Sequence, residues 1–214
     1  MRVLIYVPIV HSEVELGTLA GEVRRTFLET FGEQAWARQH DGIEAMWGGI
    51  RARLLALPLP LQRCRVYQDG LPVCDHEREI VRDLAASGSR NHQLLVELAG
   101  RGATLMGTED PQLMVRDYLR LKRLVQAAQE PTADSVVEEI RREGEVILRE
   151  RDRFIAGRIT ATLTESEVGI LFLGLLHRVD ELLGDTLDIR HLIHNLPFGA
   201  DPCSKMKERD GDGH

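Results

Sequence analysis

Short apolar runs alternate with long amphipathic segments along this chain. Four runs have the length and the β-forming residues of buried strands, and they lie at Val3–Ile9, Arg65–Asp69, Ala103–Met106 and Val168–Leu173. The longer segments between them repeat apolar residues every three or four positions, as helices that cover a sheet do. The alternation predicts an α/β fold: a mostly parallel sheet of about four or more strands, with long helical crossovers on both faces.

Polar residues next to the apolar runs predict where several helices begin. Ser12 and Glu15 have the spacing of a capping box, and the apolar pattern after them predicts a helix that runs to about Gly32. Asp110 stands directly before Pro111, which is the arrangement of a helix N-cap followed by proline at the first helical position. Both sites follow a predicted strand closely, so the helices are expected to start at the same edge of the sheet.

The end of the chain changes in character. After the last predicted strand, Val179–Leu183 and Leu187–Leu196 have the apolar spacing of short helices. The final segment has no apolar pattern and ends in a run of charged residues and glycines. We therefore expect a single α/β domain over residues 1–200 and a disordered C-terminal tail over residues 201–214.

Composition and charge narrow the class of protein. The chain has 214 residues, of which 43% are hydrophobic and 29% charged, as is usual for a globular domain of this length. Its net charge of -7 and the lack of a basic stripe argue against a nucleic-acid partner. A small-molecule or peptide substrate is the remaining expectation.

Cysteine usage and hydropathy bear on the cellular compartment. The three cysteines, Cys64, Cys74 and Cys203, are odd in number and lack metal-ligand spacing, which predicts free thiols in a reducing compartment. The apolar run at the start has no small-residue cleavage site, and we interpret it as a strand. No apolar stretch approaches the roughly 20 residues that a membrane-spanning helix needs. We expect a cytoplasmic protein with no membrane partner.

One charged residue lies within an apolar helical stripe. Ile147, Arg151, Ile155 and Ile159 follow each other at intervals of four residues and therefore share one face of a helix. A guanidinium on a core-facing stripe must meet an anion or a carboxylate, because burying an unpaired charge is costly. Arg151 is therefore predicted to point into the protein.

Candidate chemical groups follow each of the four predicted strands. His11, Asp69, Glu109 and His177 each lie just past a strand, and ligands of open parallel sheets bind beyond the carboxyl ends of the strands. Histidine nitrogens and carboxylate oxygens are the usual ligands of zinc and manganese, and they also carry general acid–base chemistry without a metal. We predict a divalent metal held by His11, Asp69 and His177, with Arg151 and Glu109 as catalytic residues.

Each of these residues also has a purely structural interpretation. His11 could lie on a surface loop, and Asp69 before Gly70 is typical of an ordinary turn. Arg151 could form a structural ion pair with a glutamate of its own helix or with another helix. The sequence leaves these alternatives open.

Two motifs resemble a known superfamily. Residues Glu150–Ala156, followed one strand later by Gly174–His177, are similar to the end of the TraB/PrgY–Tiki–ChaN-like superfamily, which includes erythromycin esterase-like proteins. Its members have an Arg-Asn helix motif before a strand that ends in Gly-x-x-His. They also have a first strand that ends in Gly-x-x-His and a glutamate after a later strand. Here Pro8 replaces the first glycine, Asp152 the asparagine and Asp69 the glutamate.

The resemblance implies a fold and a family of activities. It implies an α/β fold in which the two histidines, the acid and the arginine surround one pocket. Some members of the superfamily look like metal-dependent peptidases, others look like esterases, and one branch is similar to haem-binding lipoproteins. The superfamily is thus functionally mixed.

Three functional hypotheses follow. The first is a hydrolase-like enzyme, peptidase-like or esterase-like, assisted by a divalent metal such as zinc or manganese. The second is a non-catalytic regulatory domain that binds a small molecule or cofactor in the same pocket. The third is a structural protein whose long helices form a homo-oligomer. Metal content of the purified protein separates the first two.

Overall fold

The computed structural model describes residues 2–129, 134–184 and 186–194, which form an α/β structure around a five-stranded parallel sheet. The strand order is β3-β2-β4-β1-β5, and every pair of neighbours is parallel. The strands are β1 (Arg2–Ile9), β2 (Cys64–Gln68), β3 (Thr104–Met106), β4 (Val168–Gly174) and β5 (Leu187–His191). Since all of them point the same way, their carboxyl ends meet at one edge.

Helices connect successive strands, so each connection is a crossover. They are α1 (Ala20–Phe31), α2 (Glu33–Ala56), α3 (Glu77–Ala86), α4 (Arg90–Gly100), α5 (Pro111–Gln129), α6 (Asp134–Thr162) and α7 (Val179–Leu183). Two short 3-10 segments, Glu13–Leu19 and Leu61–Arg63, precede α1 and β2. Among the helices of residues 2–129, 134–184 and 186–194, we find none with the length and apolar character that crossing a membrane requires.

The two faces of the sheet carry separate apolar clusters. Alternate residues of β1 point to opposite faces, as the pleat requires. Ile5, Val7 and Ile9 pack on the side of α2 and α4, whereas Leu4 and Tyr6 pack on the side of α6 and α7. Helices therefore cover both faces, and the predicted fold class is confirmed.

The four predicted strands are confirmed, but the predicted helix at Leu187–Leu196 is wrong. Each predicted strand agrees with the structure to within one residue at either end. Leu187–His191 instead forms the edge strand β5, paired with β1. Leu187 is buried and Asp188 and Ile189 half-buried, while Arg190 and His191 are exposed. Residues 195–196 lie outside the described part of the chain, as does the predicted tail, 201–214.

The first crossover also departs from expectation. The predicted continuous helix after β1 is interrupted, because Gly17, inside the 3-10 segment Glu13–Leu19, has φ +56°. Ser12 makes no side-chain cap to the backbone, so the predicted capping box is wrong. The Ser12 hydroxyl instead donates to the Glu15 carboxylate at 2.9 Å. Glu15 is thereby directed toward the sheet edge.

The second predicted cap is confirmed. Asp110 Oδ1 accepts hydrogen bonds from the backbone amides of Gln112 at 2.7 Å and Leu113 at 3.3 Å. These amides are among the N-terminal groups of α5 that lack an intrahelical acceptor. The cap fixes the start of α5 directly after Glu109.

Candidate functional site

The carboxyl edge of the sheet brings the predicted site residues together. Strand β4 lies between β1 and β2, so the residues that follow these three strands are neighbours. The Asp69 carboxylate lies between the two histidines: Oδ2 is 3.0 Å from His11 Nε2 and 3.6 Å from His177 Nε2. Both histidines therefore lie at the same edge, as the parallel topology predicts.

Asp69 is the most heavily contacted carboxylate of this site. Its Oδ1 accepts from Arg151 Nη2 at 2.9 Å, and its Oδ2 accepts from the backbone amide of Gly174 at 2.9 Å. Burial alone would raise the pKa of Asp69, but the hydrogen bond from His11 and the charges of His11, His177 and Arg151 hold it well below its usual range. Asp69 is therefore an ionised carboxylate inside the protein.

Gly174 makes room for this carboxylate. A Cβ at position 174 would lie 2.8 Å from Asp69 Oδ2, and also near the His11 and His177 rings. Any side chain here would push the Asp69 carboxylate out of place. The glycine thus has a steric role at the site, because it lets the backbone amide approach Asp69 closely.

Arg151 points inward, as its stripe predicts. Ile147, Ile155 and Ile159 are fully buried, and the guanidinium extends from the same face of α6. It bonds Glu109 through Nη2 at 2.7 Å and Nε at 3.2 Å, and Nη1 bonds Asp117 of α5 at 3.1 Å. Together with the bond to Asp69, all three guanidinium nitrogens are used. The partners come from two strand ends and α5, not from glutamates of its own helix.

Glu109 is a second buried carboxyl beside Arg151 and, together with Asp69, forms the acidic wall of the site. Its side chain is fully buried. Burial raises the pKa of the Glu109 carboxyl, although the hydrogen bonds and the charge of Arg151 act in the opposite direction. Asp69 and Glu109 are thus two neighbouring carboxyls whose pKa values are pushed apart, an arrangement that general acid–base sites use.

Asp152 holds the ring of His177 and was not predicted as a site residue. His177 Nδ1 lies 2.5 Å from Asp152 Oδ1, and the amide of Arg178 donates to Asp152 Oδ2 at 3.1 Å. A carboxylate can only accept, so Nδ1 carries a proton, and Nε2 is the ring nitrogen that faces Asp69. The resemblance was the only sequence signal for this position, because its motif also has a polar residue after the arginine.

His11 is held between two carboxylates. Its Nδ1 lies 2.8 Å from Glu15 Oε2, while its Nε2 contacts Asp69. Burial lowers the pKa of His11, but the hydrogen bonds to Asp69 and Glu15 outweigh burial and raise it to about 10. His11 is therefore a cation at neutral pH.

A buried polar chain continues from Glu15 to α4. The Ser89 hydroxyl donates to Glu15 Oε1 at 2.8 Å and lies 2.8 Å from His92 Nδ1. Ser89 and His92 are both buried. The sequence did not identify these two residues, because nothing in the local pattern links α4 to the residues that follow β1.

Three of the predicted residues have the geometry of a metal site. Asp69, Glu109 and His177 each offer one ligand atom, and these atoms lie within 4.8 Å of one another among buried residues. His11 lies on the other side of Asp69, and both of its ring nitrogens contact carboxylates. A metal at this group would therefore be held by two carboxylates and one imidazole.

The His11 contacts predict a pH-dependent stability. A folded-state pKa raised from 6.5 to about 10 stabilises the fold fully below pH 6.5, and this contribution is lost as the pH rises toward 10. We expect the free energy of unfolding to fall by about 2 kcal/mol over this range, since partial exposure of His11 screens the ion pairs. Urea unfolding from pH 6 to pH 10 measures the loss, and His11→Gln should flatten it. An equal slope in both proteins would contradict the assignment.

A scan against protein-family models, a search of curated proteins and a search of solved structures each found no match to this chain. The resemblance to the TraB/PrgY–Tiki–ChaN-like superfamily therefore stays a prediction.

Proposed function

We propose that this protein is a metal-assisted hydrolase of an ester or amide bond, with its reaction centre at Asp69, Glu109 and His177. The observation that carries the proposal is the convergence of these three buried side chains, whose ligand atoms lie within 4.8 Å of one another. His177 Nε2 and Asp69 Oδ2 are 3.6 Å apart, which is too long for a hydrogen bond. A cation among these atoms would be held by two carboxylate oxygens and one imidazole nitrogen.

The surroundings of His177 support a ligand role. Metal-binding histidines usually donate their second ring nitrogen to a carboxylate, which fixes the tautomer and the orientation of the ring. Asp152 is such a partner for Nδ1. Two carboxylates and an imidazole leave further coordination positions for water and substrate, as catalytic zinc sites do. Zinc or manganese fits this set of donors.

The charge balance also favours a cation. Asp69, Glu109 and Asp117 all contact the single guanidinium of Arg151, and Asp152 adds a fourth carboxylate beside His177. Arg120 offsets Asp117 at 2.8 Å, and His11 offsets part of the charge of Asp69. The four carboxylates of this group thus outnumber the two guanidinium groups that contact them.

Each residue of the chain has a distinct task in this proposal. A bound divalent metal would supply an activated water and polarise the carbonyl of the substrate. Arg151 and the Gly174 amide fix the Asp69 carboxylate, and Arg151 also fixes Glu109. Asp152 keeps the Nδ1 proton on His177, so that Nε2 stays available as a ligand.

Metal analysis of the purified protein tests the proposal. We expect about one zinc or manganese ion per chain after expression in metal-supplemented medium, and hydrolysis of model esters or peptides that a chelator abolishes. His177→Ala and Glu109→Gln should each lose the metal. His76→Ala is the matched control, because the side chain of His76 is 74% exposed and contacts Glu79 instead of the three residues of the group. A metal-free wild type, or full metal content in His177→Ala, would contradict the proposal.

Burial of the site favours a second candidate function. The side chains of Asp69 and His177 are each only 4% exposed, and that of Glu109 is fully buried. A group this enclosed suits a non-catalytic domain that binds a small molecule or cofactor at the sheet edge. Stoichiometric metal with no hydrolysis across a panel of esters and peptides would favour this alternative.

A further inference from the structure

A small cavity opens beside His11, lined by five apolar side chains and by polar ones that include Ser12, Gln39 and His40. It has a volume of about 90 Å³, and its apolar walls are Leu16 of the first 3-10 segment, Val23 and Phe27 of α1, and Trp36 and Ile43 of α2. His11 forms part of the same cavity. The cavity thus connects the exterior to the residue that contacts Asp69.

Helix α1 forms part of the cavity wall, and its apolar side chains are only partly buried. Helix α1 has no buried residue, although Phe27 packs edge-on against Trp36 with the ring centres 5.3 Å apart. Amphipathic helices normally bury their apolar stripe against a partner. An apolar group in the cavity would complete the burial of Val23 and Phe27.

The rim of the cavity favours an uncharged occupant. The charged groups of the rim already have partners: Glu13 pairs with Arg24 at 3.9 Å, Glu44 pairs with Arg90 at 2.7 Å, and His11 contacts Glu15 and Asp69. A cationic ligand would have to compete with the two guanidinium groups, and an anionic ligand would have to compete with the carboxylates that contact His11. The rim therefore selects a neutral group.

The size of the cavity sets the size of the occupant. A dry apolar cavity of roughly 150 Å³ admits benzene, so about 90 Å³ suits a branched aliphatic group of about four or five carbons. We infer that the substrate carries such a neutral aliphatic group, which enters this cavity while its scissile bond lies at the sheet edge beyond His11. The position of the scissile bond rests on the proposed hydrolase function, whereas the binding of an aliphatic group in the cavity does not.

Binding of simple probes tests the cavity without any catalysis. Isovaleramide carries the expected group, acetamide lacks it, and isopentylamine has the same carbon skeleton with a positive charge. Trp36 lies in the cavity wall, so its fluorescence should report binding. We expect saturable binding of isovaleramide at least tenfold tighter than that of acetamide or isopentylamine. Equal affinity for all three probes, tighter binding of the amine, or no saturation would overturn the inference.

Filling variants link the binding to this cavity. Val23→Phe should weaken isovaleramide binding at least tenfold, because the new ring occupies the cavity. Thr26→Phe is the matched control, since Thr26 lies on the exposed side of the same helix and should change binding less than twofold. Leu16→Phe fills the cavity from the 3-10 segment, should Val23→Phe not fold. Unchanged binding in a folded filling variant would overturn the inference.

A site variant separates this inference from the proposed function. His177→Ala should lose metal and hydrolysis but keep isovaleramide binding, because His177 does not line the cavity. Probe binding without metal in the wild type would reject the hydrolase and retain the aliphatic cavity. Metal binding and hydrolysis without probe binding would reject the aliphatic cavity and retain the proposed hydrolase.

Discussion

Arg151→Ala is expected to lower the free energy of unfolding by about 3–5 kcal/mol, because it leaves buried carboxylates without their cation. The guanidinium contacts Asp69, Glu109 and Asp117, and only 13% of the Arg151 side chain is exposed. Protonation of Glu109 would relieve part of the cost, so the loss should be smaller at low pH. Urea unfolding at pH 7 and pH 5 measures both effects.

Arg153→Ala is the matched control for this prediction. Arg153 lies two residues further along α6 and is exposed, so its removal should change stability by less than about 0.5 kcal/mol. Arg151→Lys should recover only part of the loss, because an ammonium group cannot reproduce the forked contact with Glu109. Equal destabilisation by Arg151→Ala and Arg153→Ala would show that the contacts of Arg151 are of little energetic importance.

The sequence predicts the residues of the sheet edge well, because a parallel topology alone determines which residues follow the carboxyl ends of the strands. Apolar runs locate β1 to β4, and a parallel sheet places the residues that follow them at one edge. Arg151 is predictable for a similar reason, since its stripe defines the buried face of α6. These inferences need only periodicity and burial, and neither requires the order of the strands.

Strand order and tertiary pairing account for what the sequence could not predict. Because β4 lies between β1 and β2, the backbone amide of Gly174 lies against Asp69. No local sequence pattern predicts that these two strands are neighbours. Glu15 was interpreted as a capping residue, but its carboxylate contacts His11 and accepts from Ser89, and the contact with Ser89 exists only in the folded protein. Strand β5 was missed because its polar residues suit an edge strand, whereas apolar spacing alone also fits a short helix.

The contact of Asp152 with His177 is another tertiary pairing that the sequence could not predict. It directly follows Arg151, so the two side chains leave α6 in different directions and reach different partners. Arg151 contacts carboxylates at the ends of β2 and β3, while Asp152 contacts the histidine after β4. One turn of α6 therefore fixes both the acidic wall and the imidazole of the site.

Asp152→Asn is expected to lower metal affinity and hydrolytic activity by about 10–100-fold, and His177→Ala to abolish both. Asn keeps the size of the side chain, and its amide oxygen can still accept one of the two hydrogen bonds, from His177 Nδ1 or from the Arg178 amide. It removes the negative charge that holds the proton on Nδ1 and raises the donor strength of Nε2. Isothermal titration with zinc or manganese measures the change in affinity.

A merely structural role for Asp152 would give a different pattern. Asp152→Asn would then lower the free energy of unfolding but leave the metal affinity of the folded protein unchanged. Asp117→Asn is the matched control, because Asp117 also lies beside Arg151 but does not contact His177. If both variants weaken metal binding equally, the effect comes from the overall negative charge around Arg151. A loss confined to Asp152→Asn would assign it to the hydrogen bond with His177, since that contact is what distinguishes the two carboxylates.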